Sequence, residues 1–210
     1  MAPGVLLAWF DHWVAGVSDV PVPPAPTFTS FEGPAGVGAG WCELDGWDPT
    51  GSAGLAFALG ADGTVIVHQP GTPGEQVDTV TFTSAPLAID EVLVGHPSLT
   101  FRATLDASDA HFYVELLDLG PDGEESCVND GFLAASHRRS HTDPEPAPVG
   151  EATEYRVAIR AHHHRFRAGN RVRVRVSGGA PTKLTPPPAP VTVTTDGTAV
   201  LRLPGFTQDQ

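Results

Sequence analysis

Four groups of residues in this sequence carry side chains that could do chemistry. His162, His163 and His164 form a triplet, and His137 and His141 lie four apart in His137-Arg138-Arg139-Ser140-His141. A transition-metal site needs three or four converging ligands, with further hydrogen bonds orienting each ring. Successive side chains on a strand point to opposite faces, so a consecutive triplet does not present three rings to one ion. A His pair four apart binds zinc from a helix, and Pro144, Pro146 and Pro148 work against a helix there. No metal site and no cofactor is expected.

Asp118, Asp122, Glu124, Glu125 and Asp130 cluster around Gly120-Pro121-Asp122-Gly123 and raise the question of calcium. Their spacing does not match the twelve-residue EF-hand loop, and a solvated acidic turn is the expectation. Arg171, Arg173 and Arg175 alternate with Val172, Val174 and Val176, which puts three bases on one face of a strand. They could hold an anion, or pair with acids on neighbouring strands. The chain holds 25 acids against 12 bases, which favours pairing, each exposed pair being weak. Arg156 and Arg160 could extend the same basic face.

The fourth group is aromatic: Trp9, Phe10, Trp13, Trp41 and Trp47 all fall in the first fifty residues. Trp41 and Trp47 could form a flat platform for a sugar ring. Alternatively, the whole set is a docking surface for another domain or for the N-terminal helix. The docking reading is preferred, because a Trp-rich helix without a neighbour would expose an apolar patch.

The elements that would position these groups can be read along the chain. In residues 4–15, Leu6, Phe10 and Trp13 recur at helical spacing with Trp9 beside them, and Gly16 ends the pattern. So short a helix must rest its apolar stripe on something. Residues 18–26 are a Pro-rich extended connector. Next come TFTSF (27–31), a Gly-rich loop and WCELDGWDP (41–49). Short strands follow at close spacing. LAFAL (55–59) and TVIVH (64–68) flank Gly60-Ala61-Asp62-Gly63, a tight hairpin signal. Strands are also expected at 77–82, 89–95, 98–105, 111–119, 154–161 and 171–177. VTVTT (191–195) and AVLRL (199–203) are read as two strands joined by a turn at Asp196-Gly197. The pattern predicts an all-β antiparallel sandwich or barrel with one short N-terminal helix. Residues 1–26 form the helix and connector, and 27–210 the β domain.

Composition narrows the function classes. The net charge is −13, and no Lys or Arg precedes Arg102 whereas eleven acids do. That argues against nucleic acid and anionic membrane surfaces as partners. A protein meeting the N-terminal region should instead bring positive charge. Cys42 and Cys127 are too few for a disulfide framework. The start of the chain lacks the basic region of a signal peptide, and no run reaches the roughly 18 apolar residues of a membrane span. A soluble cytoplasmic protein is expected. Arg outnumbers Lys eleven to one, as in GC-rich bacterial genomes.

FTSAPLAIDEVLVGHPSLTFRA (82–103), VELLDLGPDG (114–123), TDPEPAPVGEATEYRVAI (142–159) and HRFRAGNRVRVRVS (164–177) occur in this order. Together they resemble the C-terminal, non-catalytic β domain of X-Pro dipeptidyl-peptidase and cocaine-esterase (CocE/NonD) serine hydrolases. LLAWFDHWVAGV is similar to the helix that ends the α/β-hydrolase domain of that family, and WCELDGWDP to the entry of its β domain. The resemblance implies a jelly-roll-like, galactose-binding-like sandwich that packs on a catalytic α/β-hydrolase domain. It also implies a structural hydrogen-bonding role for His164. Asn170 stands where the family often has His.

The same resemblance supplies no catalytic residue. The family's nucleophile sits in a G-x-S-x-x-G elbow upstream of the segments matched here. Gly51-Ser52-Ala53-Gly54 lacks the glycine two before the serine and any helix after it. His12 belongs to the terminal helix and not to a triad. The chain is therefore read as an accessory, non-catalytic sandwich domain, inactive alone. The alternatives are a free-standing carbohydrate- or ligand-binding module, or a structural, self-associating protein.

Overall fold

The computed structural model describes residues 3–20, 27–32, 38–44, 52–58, 66–69, 79–179 and 189–206. The chain opens with α1 (Pro3–Trp13), and Gly16 takes φ +73° just beyond its end. The strands that follow are β1 (Thr27–Glu32), β2 (Gly38–Leu44), β3 (Ser52–Ala58), β4 (Ile66–Gln69) and β5 (Thr79–Thr83). After them come β6 (Glu91–Gly95), β7 (Ser98–Leu105), β8 (His111–Leu119) and β9 (Glu125–Ala134). The last four are β10 (Thr153–Ala158), β11 (His162–Phe166), β12 (Arg171–Ser177) and β13 (Val191–Pro204). A 3-10 turn, Ala135–His137, follows β9.

Three sheets enclose one core in an all-β sandwich. Their strand orders are β2-β1-β11-β6, β10-β7-β13-β3 with β4 also on β13, and β5-β12-β8-β9. Alternation explains the core directly. Leu99, Phe101, Ala103 and Leu105 of β7, Val172 and Val174 of β12, and Leu201 and Leu203 of β13 are buried at every second position. Phe101, Phe112 and Tyr155 meet within it, Phe101 and Phe112 edge to face and the other two pairs tilted, with ring centroids 4.9–6.0 Å apart. Each such ring removed from water contributes roughly 2–3 kcal/mol.

The Gly120–Gly123 turn forms as the sequence predicts, closed by the Gly123 amide donating to the Gly120 carbonyl at 3.0 Å, with Gly123 at φ +88°. Three pairings differ from expectation. First, the expected turn Gly60–Gly63 lies outside the described residues, and among those described β3 and β4 do not pair with each other. Both pair with β13, β4 at Val191–Thr194 and β3 at Thr198–Pro204, so they lie end to end along one edge. Second, Asp196-Gly197 is not a turn between two strands. It is a bulge within the single strand β13, where the register against β7 shifts between Thr195 and Ala199. Gly197 adopts φ +88°, and Asp196 Oδ1 accepts from the Thr198 amide (3.2 Å) and hydroxyl (3.0 Å). The local chemistry that would close a turn here bends a continuous strand. Third, β1 runs parallel to β11, with Glu32 opposite His164, whereas the other strand-to-strand ladders described are antiparallel. No helix among the described residues is long and apolar enough to cross a membrane.

Candidate functional site

The histidine triplet is split by the pleat of β11. His162 and His164 share a face, their rings 6.3 Å apart, while His163 points to the other side. His164 is buried, and its Nε2 lies 2.9 Å from Asp118 Oδ2. The other carboxylate oxygen of Asp118 accepts from Asn170 Nδ2, also at 2.9 Å. Asp118 sits on the inward face of β8 opposite Val172, and its side chain is wholly buried. Asn170 is held by its own turn: its amide donates to the Arg167 carbonyl and its carbonyl accepts from the Leu87 amide. The result is a buried three-residue network joining β8, β11 and the turn that enters β12. Each oxygen of a carboxylate in this position needs a donor, since an unpartnered buried polar atom costs about 1–3 kcal/mol.

The five acids suspected of binding calcium serve different partners. Asp118 belongs to the network above. Asp122 Oδ1 accepts from the Glu124 amide at 3.2 Å and shapes the turn. Asp130 is buried, accepts from the Tyr113 hydroxyl at 2.8 Å and pairs with Arg160. Glu125 pairs with both Arg173 and Arg175, the latter at 2.7 Å. Among the described residues, no group of three or more His, Cys, Asp or Glu side chains converges to hold a metal ion.

The arginine stripe of β12 is spent on its neighbours, as the acid surplus suggests. Arg171 donates to the Ser84 carbonyl (2.9 Å), Arg173 to Thr83 Oγ1 (2.8 Å) and Arg175 to Glu115 Oε2 (3.2 Å). The hydrogen bond from Arg173, with help from Arg175, holds the Glu125 carboxyl below its ordinary value. Burial works against the charge of Arg175, but Glu125 and Glu115 outweigh it and raise its pKa. Burial, reinforced by Glu115, pushes the Tyr113 phenol up.

The aromatic candidates are distributed unevenly. Trp9, Phe10 and Trp13 lie on α1 and are 47 %, 47 % and 64 % exposed. Trp9 and Phe10 meet edge to face at 5.4 Å, as do His12 and Trp13 at 4.8 Å. Leu6, Leu7, Val14 and Val17 are exposed on the same segment, so the helix stripe stands uncovered among the described residues. Trp41 lies on β2, its backbone opposite Ser30, and Trp47 lies outside the described residues. Ser52 opens β3 opposite Pro204, and a strand follows it rather than the helix a nucleophile elbow requires.

Asp118 and Asn170 are the residues that sequence reasoning places elsewhere. The available signal is the inward position of Asp118, two after Leu116 on an otherwise apolar strand face.

Residues 35–208 match the X-Pro dipeptidyl-peptidase C-terminal non-catalytic domain. The chain belongs to this family. As a member of the X-Pro dipeptidyl-peptidase C-terminal domain family, it has full-length hydrolases among its relatives. A Mycobacterium bovis protein whose name designates it a serine esterase is 25 % identical over 230 residues, covering 83 % of this chain and 36 % of its own length. A cocaine esterase of Rhodococcus is 29 % identical over 133 residues, covering 62 % and 22 %. Among solved structures, an α-amino acid ester hydrolase superposes with TM-score 0.68 at 18 % identity, covering 96 % of this chain and 44 % of its own. A CocE/NonD family hydrolase of Staphylococcus aureus gives TM-score 0.65 at 14 % identity, covering 94 % and 45 %. The structural likeness shows a shared fold. This chain spans less than half the length of each of these proteins.

Proposed function

We propose that this chain serves as the accessory β-sandwich of a CocE/NonD-type serine hydrolase, packing on an α/β-hydrolase catalytic domain and breaking no bond itself. The observation that carries this reading is the position of α1. The helix lies before residue 35, where the family match begins, yet the superposition on full-length hydrolases covers 96 % of the chain. Its exposed Trp9, Phe10 and Trp13 are then surface that a catalytic domain covers. The boundary near residue 26 and a cytoplasmic location belong to the same reading, the latter supported by only two cysteines in 210 residues. The eleven acids before Arg102, with no base among them, favour a partner rim that carries Lys or Arg.

The test has two arms. The purified chain is assayed on p-nitrophenyl esters and X-Pro anilides, with no turnover expected; turnover that titrates with a serine-directed inhibitor overturns the non-catalytic reading. An α/β-hydrolase catalytic domain of the CocE/NonD type, taken from the gene neighbourhood where one is encoded there, is then expressed separately and mixed with it. Docking blue-shifts the emission of Trp9 and Trp13 and weakens with salt. Unchanged emission, or association of the chain only with itself by light scattering, overturns the docking reading.

A further inference from the structure

The buried network coincides with the place where the N-terminal hairpin is attached to the sandwich. Among the described residues, β1 pairs with β2 on one side and β11 on the other, and the register with β11 is Glu32 opposite His164. β2 has β1 as its neighbour and ends that sheet. The hairpin β1–β2 therefore hangs on β11 through a short parallel contact, centred on the residue whose side chain reaches Asp118. On its far edge β11 is tied to β6 through five register pairs, His162 to Phe166. Among the described residues, β6–β11 shows five register pairs and β1–β11 shows Glu32 opposite His164. The described attachment of β1 to β11 therefore lies at His164.

The carboxylate of Asp118 bonds to the side chain of that residue. It comes from β8, in a different sheet, and it binds donors from β11 and from the turn entering β12 at 2.9 Å each. A buried carboxylate that loses one of these donors keeps an oxygen out of water and out of a hydrogen bond, so the network moves as a unit. We propose that Asp118, His164 and Asn170 are positioning residues that latch the β1–β2 hairpin onto the sandwich. Release of this latch opens the hairpin as a local unit while the β7–β13 ladder stays closed. This inference does not depend on what docks against α1.

Hydrogen exchange read by peptide mass spectrometry on the intact 210-residue chain tests it. In Asn170→Ala, the amides of 27–32 and 38–44 exchange at least about tenfold faster than in the wild type, while those of 98–105 and 199–203 are unchanged. Val172→Ala is the control: it truncates the apolar neighbour opposite Asp118 without removing a donor, and it produces no such selective effect on the hairpin. Uniform acceleration across the chain in Asn170→Ala overturns the proposal, as does acceleration limited to 114–119 and 162–166 with the hairpin unaffected. If Asn170→Ala does not fold, wild-type exchange in rising urea decides. The hairpin and His164 exchanging in one step below global unfolding supports the latch, and the hairpin exchanging independently of His164 overturns it.

Discussion

Gly131 on β9 lies directly against the backbone of Ala158. A Cβ built on it would stand 2.9 Å from the Ala158 carbonyl carbon and from Ile159 Cα, and closer still to the Ala158 carbonyl oxygen. Here the chain leaving β10 crosses the edge of β9, bridging Gly131 to Ile159, with the Arg160 amide donating to the Asp130 carbonyl at 2.9 Å. Both sides of the contact are backbone, so no side-chain rotation relieves it. Gly131→Ala is expected to destabilise the chain by about 2–3 kcal/mol, read as a lower urea midpoint at unchanged slope. A change below about 0.5 kcal/mol would show that the two backbones separate freely.

Asp118 holds two donors, so its removal strands more than the removal of either one. Asn170→Ala is expected to cost about 1–3 kcal/mol and Asp118→Ala more. Because Asn170 binds Asp118, the double variant should cost less than the sum by at least about 1 kcal/mol in urea unfolding. Strict additivity would sink the assignment of this hydrogen bond.

Glu125 supplies a pH dependence of known sign. Arg173 and Arg175 depress its carboxyl below the ordinary value of 4.5, so its contribution to stability is complete above that value. It disappears as pH falls through the lower folded-state value. Glu125→Gln should therefore lie below the wild type by about 0.5–1 kcal/mol at neutral pH, with the gap closing on acidification. A gap that stays constant from about pH 7 to about pH 3 would contradict the pairing.

Trp9 and Trp13 test whether α1 leans on the sandwich. Both are exposed, so the double variant Trp9→Ala/Trp13→Ala should shift the Tm by less than about 2 °C. It should also diminish any fluorescence response to a docking partner, with Trp41 and Trp47 left as emitters. A Tm loss above about 5 °C would mean that the helix packs onto its own chain in solution.

Part of the fold and of the candidate site is legible in the residues themselves. The alternation of Arg171, Arg173 and Arg175 with valines puts the bases on one face, and the acid surplus implies pairing, which Glu115 and Glu125 supply for Arg173 and Arg175 while Arg171 donates to the Ser84 carbonyl. The Gly120–Gly123 turn follows from turn chemistry alone. The exposure of α1 is half visible: its aromatic stripe is plain, but nothing local tells whether another part of the chain covers it. The five-acid cluster misleads, because closeness along the chain is not closeness in space. Asp118 points inward to His164 and Asn170, Glu125 pairs outward with arginines, and Asp130 joins Tyr113 and Arg160.

By itself, the sequence determined the all-β class, the alternating faces of β12, the N-terminal helix and the one-sided distribution of charge. These are local or compositional properties: the pleat sets a period of two, and proline, glycine and charge act where they stand. β9 is not among the strands expected from the sequence, and the family came from the resemblance of its motifs. Tertiary structure alone decided which strands meet and which polar groups are buried together. It laid β3 and β4 end to end on β13, ran β1 parallel to β11, and turned Asp196-Gly197 into a bulge. It also brought Asp118 to partners 46 and 52 residues away. Such contacts depend on how the sheets close around a shared core, where every buried carboxylate oxygen must find a donor, and no period in the sequence encodes that geometry.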